Sequence, residues 1–120
     1  MDRDTALKLL AGLRIAVGTT SWATPNLGGK LFGLDPDGNP QGAYFARLFG
    51  VRDVALGVGP LRAKRKAQDN WIELGIVCDS ADFVAALLGG GKGYLSPKTA
   101  AMVAAPAAAA TALGIIALRD

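Results

Sequence analysis

The chain has 120 residues and a formal net charge of +3, with 51% hydrophobic residues, 19% charged residues and a mean hydropathy of +0.29. It contains no histidine and one cysteine, Cys78, which excludes histidine-based catalysis, Cys/His zinc sites and an internal disulfide. Basic residues cluster in one short segment without interleaved aromatic side chains, so no nucleic-acid partner is expected. The length predicts a single domain, residues 1–120, and the composition is apolar.

The first predicted membrane span covers residues 6–23 and carries Arg14 near its centre. Lys8 and Arg14 interrupt the apolar run, so a signal peptide is not predicted. Pro25 is expected to end the helix, and the Gly- and Pro-rich residues 26–42 are predicted to form a loop. On a helix, Arg14 shares one stripe with small residues. The stripe consists of Ala11, Arg14, Gly18 and Ser21.

The second predicted span, residues 43–61, contains Arg47, Arg52 and Asp53 among apolar and small residues. Because charges are costly in hydrocarbon, they are expected to face the interior of a bundle and to meet opposite charges there. Arg52 and Asp53 project about 100° apart on one helix, so each is expected to need a partner from another helix. The predicted packing stripe consists of Ala46, Gly50, Asp53 and Gly57.

The third predicted span, residues 71–89, places Asp79 and Asp82 on one stripe with small residues such as Gly75. The segment GGGKGYLSPK that follows lacks the complete phosphate-loop pattern, so it is predicted to be a linker. The fourth predicted span, residues 99–118, has twenty residues and no charge, which is typical of a transmembrane helix. An alanine-rich soluble helix is the alternative for this segment.

Basic residues are distributed unequally between the two ends of the predicted bundle. Four spans place both termini and the RAKRK segment on one side, with seven Lys or Arg residues against three on the other. Because positive residues favour the cytoplasmic side, cytoplasmic termini are predicted for a multi-pass protein of the bacterial inner (plasma) membrane. The seven are Arg3, Lys8, Arg62, Lys64, Arg65, Lys66 and Arg119, and the three are Lys30, Lys92 and Lys98.

Six charged residues are predicted to form a layer near the middle of the first three spans. They are Arg14, Arg47, Arg52, Asp53, Asp79 and Asp82. An unpaired charge at this depth costs at least a few kcal/mol, so an Arg–Asp network joining the three helices is predicted. The network could fix helix packing, or it could line a polar cavity for a proton, an ion or a small polar ligand. Catalytic use of the two close aspartates is a third interpretation.

Three segments, LLAGLRIAVG, YFARLFGVRDVALG and CDSADF, are similar to those of a family of small, uncharacterised bacterial integral membrane proteins. That family is a domain of unknown function with four predicted helices, and residues 46–57 are the most distinctive part of the likeness. The resemblance implies a membrane location and no particular activity. The positions that it supports are Arg47, Gly50, Arg52, Asp53 and Gly57.

The sequence therefore predicts an all-α, four-helix transmembrane bundle that is not an enzyme and needs no cofactor or metal ion. We expect an accessory or structural subunit that contacts the lipid bilayer and uses its small-residue faces in a homo-oligomer or a larger membrane complex. The alternative is a small transporter or ligand-binding membrane protein that uses the charged layer. A soluble helical bundle is the third hypothesis.

Overall fold

The computed structural model describes residues 1–120 as five α-helices without a β-strand. The all-α prediction is confirmed, but there are five helices rather than four. The additional helix lies in the segment predicted to be a loop, where Pro25 occupies the first turn and its missing N–H costs no helical hydrogen bond. The helices are α1 (Arg3–Ala23), α2 (Pro25–Leu31), α3 (Gly42–Arg62), α4 (Arg65–Lys92) and α5 (Pro97–Arg119).

Side-chain caps and one glycine define several helix ends. The Asp2 carboxylate accepts a hydrogen bond from the Thr5 backbone N–H at 2.8 Å, which lowers the pKa of Asp2 below its ordinary value. The Ser96 hydroxyl accepts from the Thr99 N–H at 3.1 Å in the same way. α4 runs past the end of the third predicted span and stops at Gly93, whose φ of 86° suits glycine.

The four long helices run alternately up and down. α1 and α4 each pack against α3 and α5, so α1 and α4 lie diagonally across the bundle. At one end, the Thr99 hydroxyl donates to the Gly33 carbonyl at 2.8 Å and joins α5 to the turn after α2. At the other end, the Arg3 N–H donates to the Asp120 carboxylate at 2.6 Å, and the Arg3 guanidinium pairs with Asp69 at 2.5 Å. Both termini and the connection between α3 and α4 therefore lie at the same end.

Glycine residues allow α1 and α3 to approach closely. A Cβ atom added to Gly18 would lie 2.6 Å from the Gly50 carbonyl oxygen, and one added to Gly50 would lie 2.5 Å from the Gly18 oxygen. Farther along the same contact, Gly57 lies against Ala11 and Arg14. Because no side chain fits between the backbones at these points, small residues determine how α1 and α3 pack.

The interior of the bundle contains small and charged side chains rather than many large apolar ones. Of the 23 buried residues, ten are apolar and six of those are alanine. The one apolar core cluster lies near the termini, while large side chains such as Leu74, Val77 and Leu87 are 55%, 64% and 55% exposed. A water-soluble bundle has the opposite arrangement, with its large apolar side chains facing the core.

One helix, α5, is long and apolar enough to cross a membrane as judged by its length and composition, with a mean hydropathy of 2.0 over an 18-residue window. The other long helices do not meet that criterion. Charged residues and glycines in the middle of α1, α3 and α4 lower their mean hydropathy. The predicted set of four membrane spans is therefore not supported by hydropathy, which identifies a single candidate.

Candidate functional site

An ion pair between Arg14 and Asp79 crosses the centre of the bundle. Arg14 lies midway along α1, and Asp79 lies midway along α4. The Arg14 Nη1 donates to Asp79 Oδ1 at 3.0 Å and Nη2 donates to Oδ2, so the contact is bidentate. The two residues are only 5% and 4% exposed. The predicted buried Arg–Asp pairing is therefore present, and this pair connects two diagonal helices.

Gly75 provides the space that the Arg14 guanidinium occupies. It lies on α4 one turn before Asp79, and a Cβ atom at this position would be 2.9 Å from Arg14 Nη2. Gly75 is one of the positions that the sequence predicts for helix packing. Its α-carbon faces the end of the Arg14 side chain of α1, so it contributes directly to the ion pair.

A second ion pair, between Arg52 and Asp82, joins α3 to α4. The Arg52 Nη1 donates to Asp82 Oδ1 at 3.0 Å, and Nη2 donates to Oδ2 at 2.5 Å. The Arg52 guanidinium also lies over the ring of Phe49, 4.8 Å from the ring centroid. The two side chains are 34% and 28% exposed, so this pair is less buried than the pair at the bundle centre.

Asp53 lies between the two ion pairs, but neither arginine holds it at short range. Its carboxylate is 3.8 Å from Arg14 and 3.8 Å from Arg52, and it accepts no hydrogen bond, although its side chain is only 9% exposed. We refer to Arg14, Arg52, Asp53, Asp79 and Asp82 as the charged cluster. With two arginines and three aspartates, the charged cluster has a formal charge of −1.

Arg47, the sixth residue of the predicted layer, lies apart from the charged cluster. Its Nε donates to the Trp22 carbonyl oxygen at 3.0 Å, and its guanidinium is 5.9 Å from the centroid of the Trp22 ring. Trp22 belongs to the last turn of α1, whose carbonyl groups lack partners within the helix and favour a cation. Arg47 therefore stabilises the end of α1, and the predicted balance of three arginines and three aspartates does not occur.

Asp79 and Asp82 were one candidate pair for catalysis, and the structure holds each against a different arginine. Carboxylates that share a proton must approach one another closely. Here each one instead receives two hydrogen bonds from its own guanidinium. No group of three His, Cys, Asp or Glu side chains is arranged to hold a metal ion. The contacts of Asp79 and Asp82 are therefore those of two separate ion pairs rather than of a proton-sharing pair.

A cavity of about 1210 Å³ lies between the charged cluster and the end of the bundle that α2 covers. Apolar surface makes up most of its wall. The apolar lining includes Leu10, Leu13, Val17, Phe45, Phe49 and Val103. The sequence does not predict this cavity, because stripes of alanine and glycine are typical of close helix packing. Its volume is sufficient for a small-molecule ligand.

Comparisons with models of known protein families, with characterised proteins and with solved structures gave no match for this chain. The resemblance to small bacterial membrane proteins, which is strongest over residues 46–57, therefore stays a prediction. Functional inference depends on the charged cluster, the cavity and the outward-facing apolar surface.

Proposed function

We propose that the protein is a small, non-enzymatic integral membrane protein of a bacterial inner membrane, in which α1, α3, α4 and α5 all cross the bilayer. The distribution of charge supports this proposal. In residues 9–21, 48–58, 74–91 and 99–118, the only charged residues are those of the charged cluster, and each of them lies within 4 Å of an opposite charge. Large apolar side chains in the same segments face outward. They include Leu9, Leu48, Val51, Leu74, Val77, Val84, Leu87, Leu88, Ile115 and Ile116.

The low hydropathy of three helices is compatible with this proposal. Mean hydropathy includes every residue of a helix, whereas lipid contacts only the residues that face outward. Charged residues in membrane proteins face the bundle interior and pair there. At 1.5 Å per residue, the 21 residues of α1 and of α3 give helices about 31 Å long. That length is close to a hydrocarbon core of about 30 Å, and the charged residues near the helix ends, such as Lys8, Arg47 and Arg62, then lie within reach of the headgroup regions.

Orientation follows from the two ends of the bundle. The end that holds both termini and the connection between α3 and α4 has seven Lys or Arg residues, against four at the opposite end, namely Lys30, Arg47, Lys92 and Lys98. Under the positive-inside rule, this end lies in the cytoplasm.

Thiol labelling in intact cells tests this topology. In a Cys78→Ala background, we expect an impermeant thiol reagent to label Gln41→Cys and not Ala67→Cys, with both labelled after the cells are permeabilised. Both positions are exposed and lie at opposite ends of the bundle, Gln41 directly before α3 and Ala67 in the first turn of α4. Labelling of Ala67→Cys alone would mean that the orientation is inverted. Equal labelling of both before permeabilisation would contradict a membrane-spanning bundle.

An accessory or structural subunit is the role that we favour for this bundle, because it requires no ligand. The charged cluster fixes the relative positions of α1, α3 and α4, as buried polar contacts do in other membrane bundles. In addition, α5 exposes a stripe of small residues at which another helix, or a second copy of the chain, can approach closely. The stripe consists of Ala101, Ala105, Ala108 and Ala112.

Ligand binding or transport is the second candidate function, and the cavity beside the charged cluster favours it. Isolation in a mild detergent distinguishes the two roles. A second polypeptide that remains bound through purification supports the accessory role, and a bound small molecule supports the ligand-binding role.

A further inference from the structure

Asp53 differs from the other carboxylates of the charged cluster in having no close partner. Asp79 and Asp82 each accept two hydrogen bonds from an arginine. Asp53 accepts none, and its nearest guanidinium nitrogens are 3.8 Å away. A buried carboxylate is stable only when hydrogen bonds or a counter-charge offset the loss of hydration. Two guanidiniums lie within 4 Å of Asp53, but each is hydrogen-bonded to another aspartate, and the charged cluster keeps a formal charge of −1. Asp53, which lines the cavity, is therefore the carboxylate at which an additional cation can bind.

The charged residues around the cavity are mainly acidic. Arg14 is the only basic residue among them, and its guanidinium already donates two hydrogen bonds to Asp79. The charged lining consists of Arg14, Asp35, Asp53, Asp79 and Asp82. This balance favours a positively charged ligand over a negatively charged one.

The apolar part of the cavity wall indicates the size and polarity of the cation that fits. A metal ion or a proton would leave most of the 1210 Å³ empty, and the surrounding surface is largely apolar. Aromatic rings from α3, those of Phe45 and Phe49, are part of this wall and can contact an apolar body. The Arg52 guanidinium already lies over Phe49, so Phe45 is the ring that can also contact a positive charge. The site is thus suited to a cation with a large apolar surface.

We propose that the cavity binds a lipophilic organic cation and that the Asp53 carboxylate is its counter-charge. This inference rests on the second candidate function, ligand binding. The ligand would place its apolar body among the side chains of α1, α3 and α5 and its positive charge beside Asp53. No covalent step is involved.

Two probes of the same shape and opposite charge test this proposal. We would titrate purified protein in detergent with tetraphenylphosphonium and, separately, with tetraphenylborate. The cation should bind saturably at one site per chain, at least about tenfold more tightly than the anion, which corresponds to about 1.4 kcal/mol. Saturation distinguishes binding to the cavity from partition into micelles. Equal or tighter binding of the anion would overturn the proposal and would mean that the Arg14 guanidinium, rather than the Asp53 carboxylate, determines which charge the cavity prefers.

An Asp53→Asn variant tests the role of the carboxylate. The substitution keeps the size of the side chain and removes its charge, so the affinity for tetraphenylphosphonium should fall at least about tenfold. Asp4→Asn is the matched control, because Asp4 is exposed and outside the cavity, and its affinity should be unchanged. Unchanged affinity in a folded Asp53→Asn variant would overturn the proposal. If that variant does not fold, the comparison of tetraphenylphosphonium and tetraphenylborate binding to the native protein still tests the proposal.

Failure of this inference is distinguishable from failure of the proposed functions. Thiol labelling reports on the membrane bundle without any ligand. A co-purifying small molecule that is not cationic would support ligand binding and overturn the assignment of a cation.

Discussion

Replacing Asp79 by Asn is expected to lower the free energy of unfolding by about 3–5 kcal/mol. The substitution removes the negative charge that faces the Arg14 guanidinium at the centre of the bundle, where both residues are almost fully buried. The remaining carboxylate near Arg14 is that of Asp53 at 3.8 Å, which is too far away to replace two hydrogen bonds. Thermal unfolding in detergent measures this loss.

A double-mutant cycle tests whether the loss comes from this ion pair. Arg14→Gln alone should also be destabilising, and the variant with both substitutions should be more stable than the sum of the single losses predicts, by about 0.5–3 kcal/mol. The control cycle combines Asp79→Asn with Arg52→Gln, because Arg52 forms its hydrogen bonds with Asp82. The coupling in this control cycle should be weaker than in the first, because Arg52 interacts with Asp79 only at longer range within the charged cluster. Coupling of Asp79 to Arg52 and not to Arg14 would contradict the pairing in the structure.

Replacing Gly18 by Ala should destabilise the protein by about 1–3 kcal/mol, because a new methyl group would overlap the backbone of α3. The added Cβ would lie 2.6 Å from the Gly50 carbonyl oxygen, and a backbone atom cannot move aside as a flexible side chain can. The expected result is therefore separation of α1 from α3 and a lower melting temperature.

Gly12→Ala is the matched control for this substitution. Gly12 lies on the same helix with no atom within 4 Å of an added Cβ. Alanine there should be neutral or should stabilise the helix by about 0.5–1 kcal/mol, because it restricts the unfolded chain. Equal stability of the Gly18→Ala and Gly12→Ala variants would contradict the close approach of α1 and α3 at Gly18.

The sequence predicts the positions of the helices better than their contacts. Hydrophobic runs and Pro25 located the long helices approximately, and the even number of long helices placed both termini at one end. The short helix α2 was missed because a Gly- and Pro-rich composition is more typical of a loop, although proline is well tolerated in the first turn of a helix.

The pairing of charges could not be predicted because depth along a helix does not specify which helices are diagonal. Arg14 and Arg52 have similar depths, and only the order of helices around the bundle assigns Asp79 to the first and Asp82 to the second. Arg47 lies on α3 more than one turn from Arg52, far enough for its side chain to reach the end of α1. The cavity depends on spaces left between helices, which a pattern along one helix does not reveal.

Alkaline carbonate extraction followed by flotation tests the central claim most directly, namely that the apolar outer surface contacts lipid while the charged cluster is enclosed. We predict that the protein stays with the membranes through the alkaline wash, because insertion of an apolar surface does not depend on peripheral charge. It should then float with the lipid in a density gradient, which separates inserted protein from aggregates. Recovery in the soluble fraction, or failure to float, would contradict the proposed membrane bundle.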